Sequence, residues 1–369
     1  MNDPPLLLHV FPSFAVGGAQ VRFAALANRY GTRWRHAVVA LDGEAGCAAR
    51  LLHDVRFELL PAPTPRGAGF ARRIMGIRRM LRRLRPALLV TSNWGSIEWA
   101  IARLALPGLP HLHLEDGFGP EERARQLPRR VLTRRLALRF SQVAVPSLTL
   151  GRIARDIWRL PEARVRYIPN GVDLARFNPP IARGVLDFGG DGPVIGTAAA
   201  LRPEKNMGRL LRAFALLQES GDAARLLILG DGPERPRLEA LAANLGIARR
   251  VHFQGHVSEP AAMYRAMDLF CLSSDTEQMP FALLEAMASG LAVASTDVGD
   301  VAAMLPRESR AHVVPPDDAA LAGALRCLVR DPTLRRGLGQ ANRARAERDF
   351  DQETMFETHA ALMQALIRR

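Results

Sequence analysis

Lysine is nearly absent from this 369-residue chain: of its 50 basic residues, 49 are arginine and one, Lys205, is lysine. In a sequence where arginine serves wherever either cation would do, a surviving lysine marks a place that needs a compact ammonium, such as a tight pocket against a phosphate. The plainer reading is an exposed lysine left by chance. Cysteine is scarce as well. Cys47, Cys271 and Cys327 are odd in number and far apart, which excludes a disulfide framework and the paired spacing of a zinc site, and sets the expectation of a reducing cytoplasm. No apolar run approaches the roughly 20 residues of a membrane span. The opening Met1-Asn2-Asp3-Pro4-Pro5 lacks the basic-then-apolar layout of a signal peptide. No zinc finger, basic zipper or aromatic RNP-like pattern accompanies the positive charge, so nucleic acid is not expected as a partner.

What is present is an ordinary globular composition, 48% hydrophobic and 24% charged, in a chain long enough for two domains. The net charge of +13 is unevenly placed: residues 1–170 hold 27 arginines against 12 carboxylates, and the remainder 23 cations against 25 carboxylates. Much of the excess lies in Arg66 to Arg85 and in Arg123 to Arg139. In the first stretch Phe70, Ile74, Ile77, Met80, Leu81 and Leu84 recur at helical spacing between arginines, which predicts a basic amphipathic helix. It reads either as a core-packed helix with a solvated arginine face or as a contact with an anionic membrane or a pyrophosphate lipid. Each basic group near such a surface contributes about 1 kcal/mol.

Short apolar runs alternate with helical patterns in both halves. The first half has Leu6–Phe11, Ala19–Arg29, His36–Leu41, Ala87–Ser92, Ile97–Leu106, His111–Leu114 and Gln142–Pro146. The second has, among others, Val194–Ala200, Arg209–Gln218, Arg225–Leu229, Val251–Gln254, Leu269–Leu272, Leu283–Ala288 and Ala292–Ser295. Strands buried on both faces and alternating with helices predict an α/β chain with two Rossmann-like parallel-sheet domains. The turn-rich Asn170-Gly171-Val172-Asp173 places the break, giving domains 1–172 and 173–345. Residues from about 346 to 369 read as a terminal helix that packs back on the first domain.

Lys205 follows one of these runs, in Leu201-Arg202-Pro203-Glu204-Lys205-Asn206. A strand-to-helix junction of this kind is where α/β folds bind anions. Glu277 and Glu285 are separated by seven residues in EQMPFALLE. Glu277 lies in the loop after the buried run Leu269–Leu272, and Glu285 two turns into a helix that starts at Pro280 and ends at Gly290. The free N–H groups of that helix start suit an anion.

With IPNGVDLARFNP (Ile168 to Pro179), LRPEKN (Leu201 to Asn206), LILGDGPER (Leu227 to Arg235), VHFQGHV (Val251 to Val257) and SSDTEQMPFALLEAMASGLAVASTDVGD (Ser273 to Asp300), the sequence resembles glycosyltransferase family 4, the retaining group 1 glycosyltransferases. The resemblance implies a GT-B fold, two Rossmann-like domains facing a central cleft. It implies metal-independent transfer of a hexosyl-type sugar from a nucleoside-diphosphate sugar, a co-substrate rather than a cofactor, to a saccharide or lipid-linked saccharide acceptor. By this resemblance Glu285 holds the ribose hydroxyls, Glu277 faces the donor sugar, and Gln278, Met279, Pro280 and Phe281 meet sugar and phosphates. Lys205 neutralises the diphosphate, and His256, Val257 and Glu259 belong to the loop edging the base. Gly17 and Gly18 match the glycine loop after the first strand, where a phosphate approaches backbone amides.

The sequence departs from the family pattern in two places. Ala200 stands where the family carries a phosphate arginine, and Arg202 is the expected substitute. The family's histidine at the tip of a first-domain strand, beside the acceptor, falls on Asp116, with His113 the next candidate; as a strand histidine, His113 also reads as a satisfied core residue. Glu115, Asp116, Glu121 and Glu122 look like a metal cluster, but no metal is expected. The expected function is envelope or exported polysaccharide or glycolipid synthesis, by a cytoplasmic protein in peripheral contact with the inner membrane face. The alternative is a non-catalytic nucleotide-sugar or polyanion binder with a decayed acceptor site.

Overall fold

The computed structural model describes residues 3–65, 67–118, 120–122, 125–179 and 191–368; Arg66 and Arg123, which begin the two basic stretches, and Arg369 fall outside them. The chain divides into two compact units, Met1–Pro169 with Phe356–Arg369, and Asn170–Met355.

In the first unit β1 (Leu6–Phe11), β2 (Arg35–Ala40), β3 (Phe57–Leu60), β4 (Leu88–Ser92), β5 (His111–Leu114), β6 (Gln142–Val145) and β7 (Val165–Tyr167) form a sheet in the order β3-β2-β1-β4-β5-β6-β7. Every pairing is parallel. The strand order reverses between β1 and β4, so the carboxyl ends of these strands open the crevice where doubly wound folds take ligands. Helices α1 (Gly18–Tyr30), α2 (Phe70–Leu84), α3 (Ile97–Arg103), α4 (Pro128–Leu138) and α5 (Leu148–Asp156) cover the faces. Ile74, Ile77, Met80 and Leu81 of α2 pack on Leu8, Val10 and Leu89, which confirms the apolar stripe read from the sequence. Phe70 is the exception: it begins the helix and is 54% exposed.

In the second unit β8 (Val194–Ala198), β9 (Arg225–Leu229), β10 (Val251–Gly255), β11 (Leu269–Leu272), β12 (Ala292–Thr296) and β13 (Val313–Val314) pair in parallel in the order β10-β9-β8-β11-β12-β13. The order reverses between β8 and β11. The helices are α6 (Met207–Glu219), α7 (Arg235–Asn244), α8 (Ala261–Arg265), α9 (Phe281–Ala288), α10 (Val301–Met304), α11 (Asp318–Arg330) and α12 (Pro332–Asp349). Two apolar layers fill the space on either side of the sheet, one against α6 and α11 and one against α9. The last helix, α13 (Gln352–Ile367), starts in the second unit and belongs to the first from Phe356 on. Among the described residues no helix is long and apolar enough to cross a membrane.

Candidate functional site

At the reversal point of the second sheet, charged groups from two loops meet. After β8 the chain turns through Ala199–Arg202 into a 3-10 turn, Pro203–Lys205. That path is fixed by two glycines of the β9 loop. Gly230 has φ +128° and Gly232 φ +159°, and a Cβ on either would run into the carbonyls of Ala199 or Leu201. Asn206, left-handed at φ 42°, caps α6, its Oδ1 accepting from the Arg209 N–H at 3.1 Å. The loop after β11 is tied to this turn. The Asp275 N–H donates to the Glu204 carbonyl at 2.9 Å, and Asn206 Nδ2 to Asp275 Oδ1 at 3.0 Å. Arg209 pairs with Asp275 at 2.8 Å and donates to the Ser273 carbonyl at 2.7 Å. Two loops some 70 positions apart are thereby held at one place. Their product is a contact between Lys205 Nζ and Glu277 Oε1 at 2.6 Å, with Ser274 Oγ donating to the same oxygen at 2.7 Å. The ammonium stays 25% exposed and the carboxylate 9%, so the pair is open to a ligand from the lysine side.

Pro280 caps α9 from an extended backbone, and the helix proper starts at Phe281, one residue later than the sequence suggested. Pro280 carries no N–H, so it sets the turn and donates nothing; the first helical N–H groups beyond it have no partner inside the helix. Met279 is buried, anchored by Asn170, whose Nδ2 donates to its carbonyl at 3.0 Å. Gly299, at φ +58°, lies against the Glu277 carbonyl, and the Asp300 N–H donates to the Gln278 carbonyl at 3.0 Å. Neither residue stood out as part of the site from the sequence, although both lie inside the motifs quoted above and Asn170 opens the turn at the domain break. Further along α9, Glu285 accepts from the Tyr264 hydroxyl at 2.7 Å. Burial pushes the Glu285 carboxyl up to about 7, against the lowering effects of the Tyr264 hydrogen bond and the Arg176 charge. Tyr264 was also missed: nothing in its sequence neighbourhood points to the glutamate 21 positions away.

The remaining expected donor residues are less concentrated. Val257 packs against the core, His256 is exposed, and Glu259 is an exposed residue paired with Arg176 at 2.8 Å. Arg202 is exposed and lines a separate groove of 240 Å³ with Asn206, Arg212, Glu234 and Arg237, a groove that Lys205 does not line. The backbone at Arg202 is extended (φ −118°, ψ 157°), and Lys205 ends the 3-10 turn that follows it.

In the first unit Gly17 is the extended residue before α1 and Gly18 its first helical residue, with no side chain capping the helix start. Asp116, just past β5, is gripped by Arg22 of α1 through both oxygens, at 2.7 and 3.0 Å. Its N–H donates to Asn93 Oδ1 at 2.8 Å. Asn93 itself has φ 58° and ψ 177°, a backbone conformation that costs a non-glycine residue about 1–3 kcal/mol and that clusters at functional sites. His113 is fully buried. Its Nδ1 meets Thr91 Oγ1 at 2.7 Å and its Nε2 faces Glu115 Oε2 at 3.5 Å, so it is a core histidine of the strand and presents no face to an acceptor. The neighbouring carboxylates are engaged by arginines: Glu121 with Arg130 at 2.5 Å and Glu122 with Arg134 at 2.9 Å. Arg134 is itself enclosed by the rings of Trp94, Phe118 and Trp158.

Comparison with known proteins bears on this arrangement. The profile of the family described as "Glycosyltransferase Family 4" matches residues 16–176, and that described as "Glycosyl transferases group 1" matches residues 180–345. The lipopolysaccharide core biosynthesis glycosyltransferase LpsE of Rhizobium meliloti is 30% identical over 54% of this chain and 57% of its own length. A GDP-mannose-dependent alpha-(1-6)-phosphatidylinositol monomannoside mannosyltransferase of Mycobacterium tuberculosis is 29% identical over 73% of this chain and 71% of its own. The chain thus spans little more than half the length of the first of these relatives. Among solved structures, Anabaena Alr3699/HepE in complex with UDP and glucose superposes with a TM-score of 0.81 at 18% identity, covering 98% of this chain and 100% of that one. Two parallel-sheet units with reversal-point loops, and two family profiles that between them run from residue 16 to residue 345, lead to one assignment: the chain belongs to glycosyltransferase family 4, the group 1 glycosyl transferases, and has their GT-B fold.

Proposed function

We propose that this chain is a retaining glycosyltransferase that moves a hexosyl-type sugar from a nucleoside-diphosphate sugar to an acceptor hydroxyl, in the synthesis of an envelope or exported polysaccharide or glycolipid. The observation that carries this reading is the Lys205–Glu277 pair at 2.6 Å, held at a strand–helix junction before α9. In this reading the Lys205 ammonium turns from the carboxylate to the donor's diphosphate and neutralises the charge that develops as the nucleoside diphosphate leaves. Glu277, released, faces the reacting sugar. Glu285, ionised, accepts from the two ribose hydroxyls. The second unit takes the donor and the first the acceptor, with Gly17 and Gly18 at a phosphate and Asp116 beside the acceptor hydroxyl, its charge steadied by Arg22.

Two helices of the first unit support an acceptor at the inner face of an anionic membrane. Arg72, Arg79, Arg82 and Arg83 of α2 are exposed around Met75, itself exposed. Arg129, Arg135 and Arg139 of α4 and its end are exposed around Leu132 and Leu136, at helical spacing. Apolar side chains ringed by arginine suit the boundary between headgroups and acyl chains. Incubation with radiolabelled UDP-, GDP- and ADP-sugars and a lipid extract tests the reading. Release of nucleoside diphosphate together with a labelled lipid-soluble or saccharide product supports it. A donor that binds and yields neither would instead support a non-catalytic nucleotide-sugar binder.

A further inference from the structure

The first unit contains a cavity of 490 Å³ at the opposite end of its sheet from Asp116. It opens where the strands begin, beside His111 at the start of β5 and Phe140 before β6, and Leu366 of α13 lines one side. Two arginines line it, Arg103 at the end of α3 and Arg164 just before β7, and no carboxylate does. Arg103 is only 8% exposed; its Nε donates to the Leu109 carbonyl at 2.8 Å. Arg164 has a single long hydrogen bond, from Nη1 to the Phe140 carbonyl at 3.4 Å. Among the described residues neither is paired with an acid. Elsewhere in this chain buried arginines are paired: Arg134 with Glu122, Arg209 with Asp275, Arg22 with Asp116.

A buried guanidinium without a counter-charge is costly, and a like charge beside it adds to the cost. Both effects register at Arg103, whose proton affinity is lowered by burial first and by the Arg164 charge second. His111 does not add charge. It is held neutral by burial, with Nδ1 against Ser141 Oγ at 2.7 Å and Nε2 against Thr91 Oγ1 at 2.8 Å. The lining therefore offers two fixed positive charges, planar donor forks, and an apolar wall of Phe140, Leu104 and Leu366. Guanidinium forks match the oxygens of a phosphate in pairs.

We propose that this cavity binds a small phosphomonoester, its dianionic phosphate between Arg103 and Arg164 and its organic group against Phe140 and Leu366. The volume exceeds what a bare phosphate fills and has room for a sugar ring. Occupancy removes the repulsion between the two arginines, so the ligand stabilises the first unit. The site lies apart from every residue assigned above to donor or acceptor.

Calorimetric titration of the full chain with glucose 6-phosphate, at ionic strength held constant with sodium chloride, tests the proposal. Saturable binding to the wild type is expected, with a loss of at least tenfold in Arg164→Gln and in Arg103→Gln. Lys205→Ala should bind as the wild type, which separates this cavity from phosphate capture in the second unit. If Arg103→Gln does not fold, the partly exposed Arg164 decides alone. No saturable binding to the wild type, or undiminished binding to Arg164→Gln, would overturn the proposal.

Discussion

Glu285→Gln sets stability against binding at a single position. The carboxyl is moved by burial from 4.5 to about 7, and each pKa unit corresponds to about 1.4 kcal/mol, so ionising it in the empty site costs the fold on the order of 3 kcal/mol. The native state holds this proton more tightly than the unfolded chain does. Between pH 4.5 and about 7 it therefore carries more protons than the unfolded state, and stability falls as pH rises through that window. Below the window the penalty is absent, and above it the penalty is complete. Glutamine has no charge to desolvate, and its amide oxygen can still accept from the Tyr264 hydroxyl. At pH 4, below the window, the variant should melt with the wild type. At pH 8 its second-unit transition should lie several degrees higher, since 1 kcal/mol is worth about 2–4 °C in a unit of this size. Donor affinity should move the opposite way, weaker by about 1.5–3 kcal/mol, because an amide accepts less well from two hydroxyls than a carboxylate. Differential scanning calorimetry at the two pH values and donor titration at pH 8 check both arms. A variant that is less stable than the wild type at pH 8, or a difference that does not change with pH, would refute the reasoning.

Tyr264→Phe should push the Glu285 carboxyl further up, since it removes a hydrogen bond that favours the ionised form; donor titration across pH 6–9 should show the affinity rise displaced to higher pH. Gly299→Ala places a methyl against the Glu277 carbonyl at a positive φ, so turnover of the second-unit site should fall at least tenfold while donor affinity falls less, measured by initial rates at varied donor. Charge reversal at Arg72, Arg82, Arg129 and Arg135 should weaken binding to anionic vesicles in sedimentation assays. Wild-type binding should itself decline steeply above 0.15 M salt, where the Debye length drops below about 8 Å. Wild-type protein that ignores such vesicles at low salt would leave these arginines as solvated surface.

Interior strands were legible because burial on both faces writes a run rich in apolar residues: Leu6–Phe11, His111–Leu114, Arg225–Leu229 and Leu269–Leu272 stand in the structure with those bounds. Of the four edge strands, β10 was read, as Val251–Gln254, and the other three were not. Phe57–Leu60 has its two central residues exposed and includes Glu58, Val165–Tyr167 buries only its first residue, and Val313–Val314 is two residues long. Half-exposed strands of this length lose the signal that period or run length provides. Lys205 and Glu277 stood out for separate reasons of composition and spacing, and their contact spans 72 positions. Arg22 is 94 positions from the carboxylate it grips, and only the pairing of strands brings α1 beside the end of β5. The positive φ of Asn93 has no signature in Ser92-Asn93-Trp94.

The proposed function needs Lys205 to serve a diphosphate as an ammonium and not merely as a positive charge. Initial rates of nucleoside diphosphate release and product formation are measured for the wild type, Lys205→Ala and Lys205→Arg with the donor that the panel identifies. The bulkier fork of arginine has to fit where Nζ now lies 2.6 Å from Glu277 and where Ser274 holds the same oxygen. Loss of transfer in both variants, with each folded by its melting curve, is the predicted result. Turnover near that of the wild type in Lys205→Arg would mean that any cation at this position suffices.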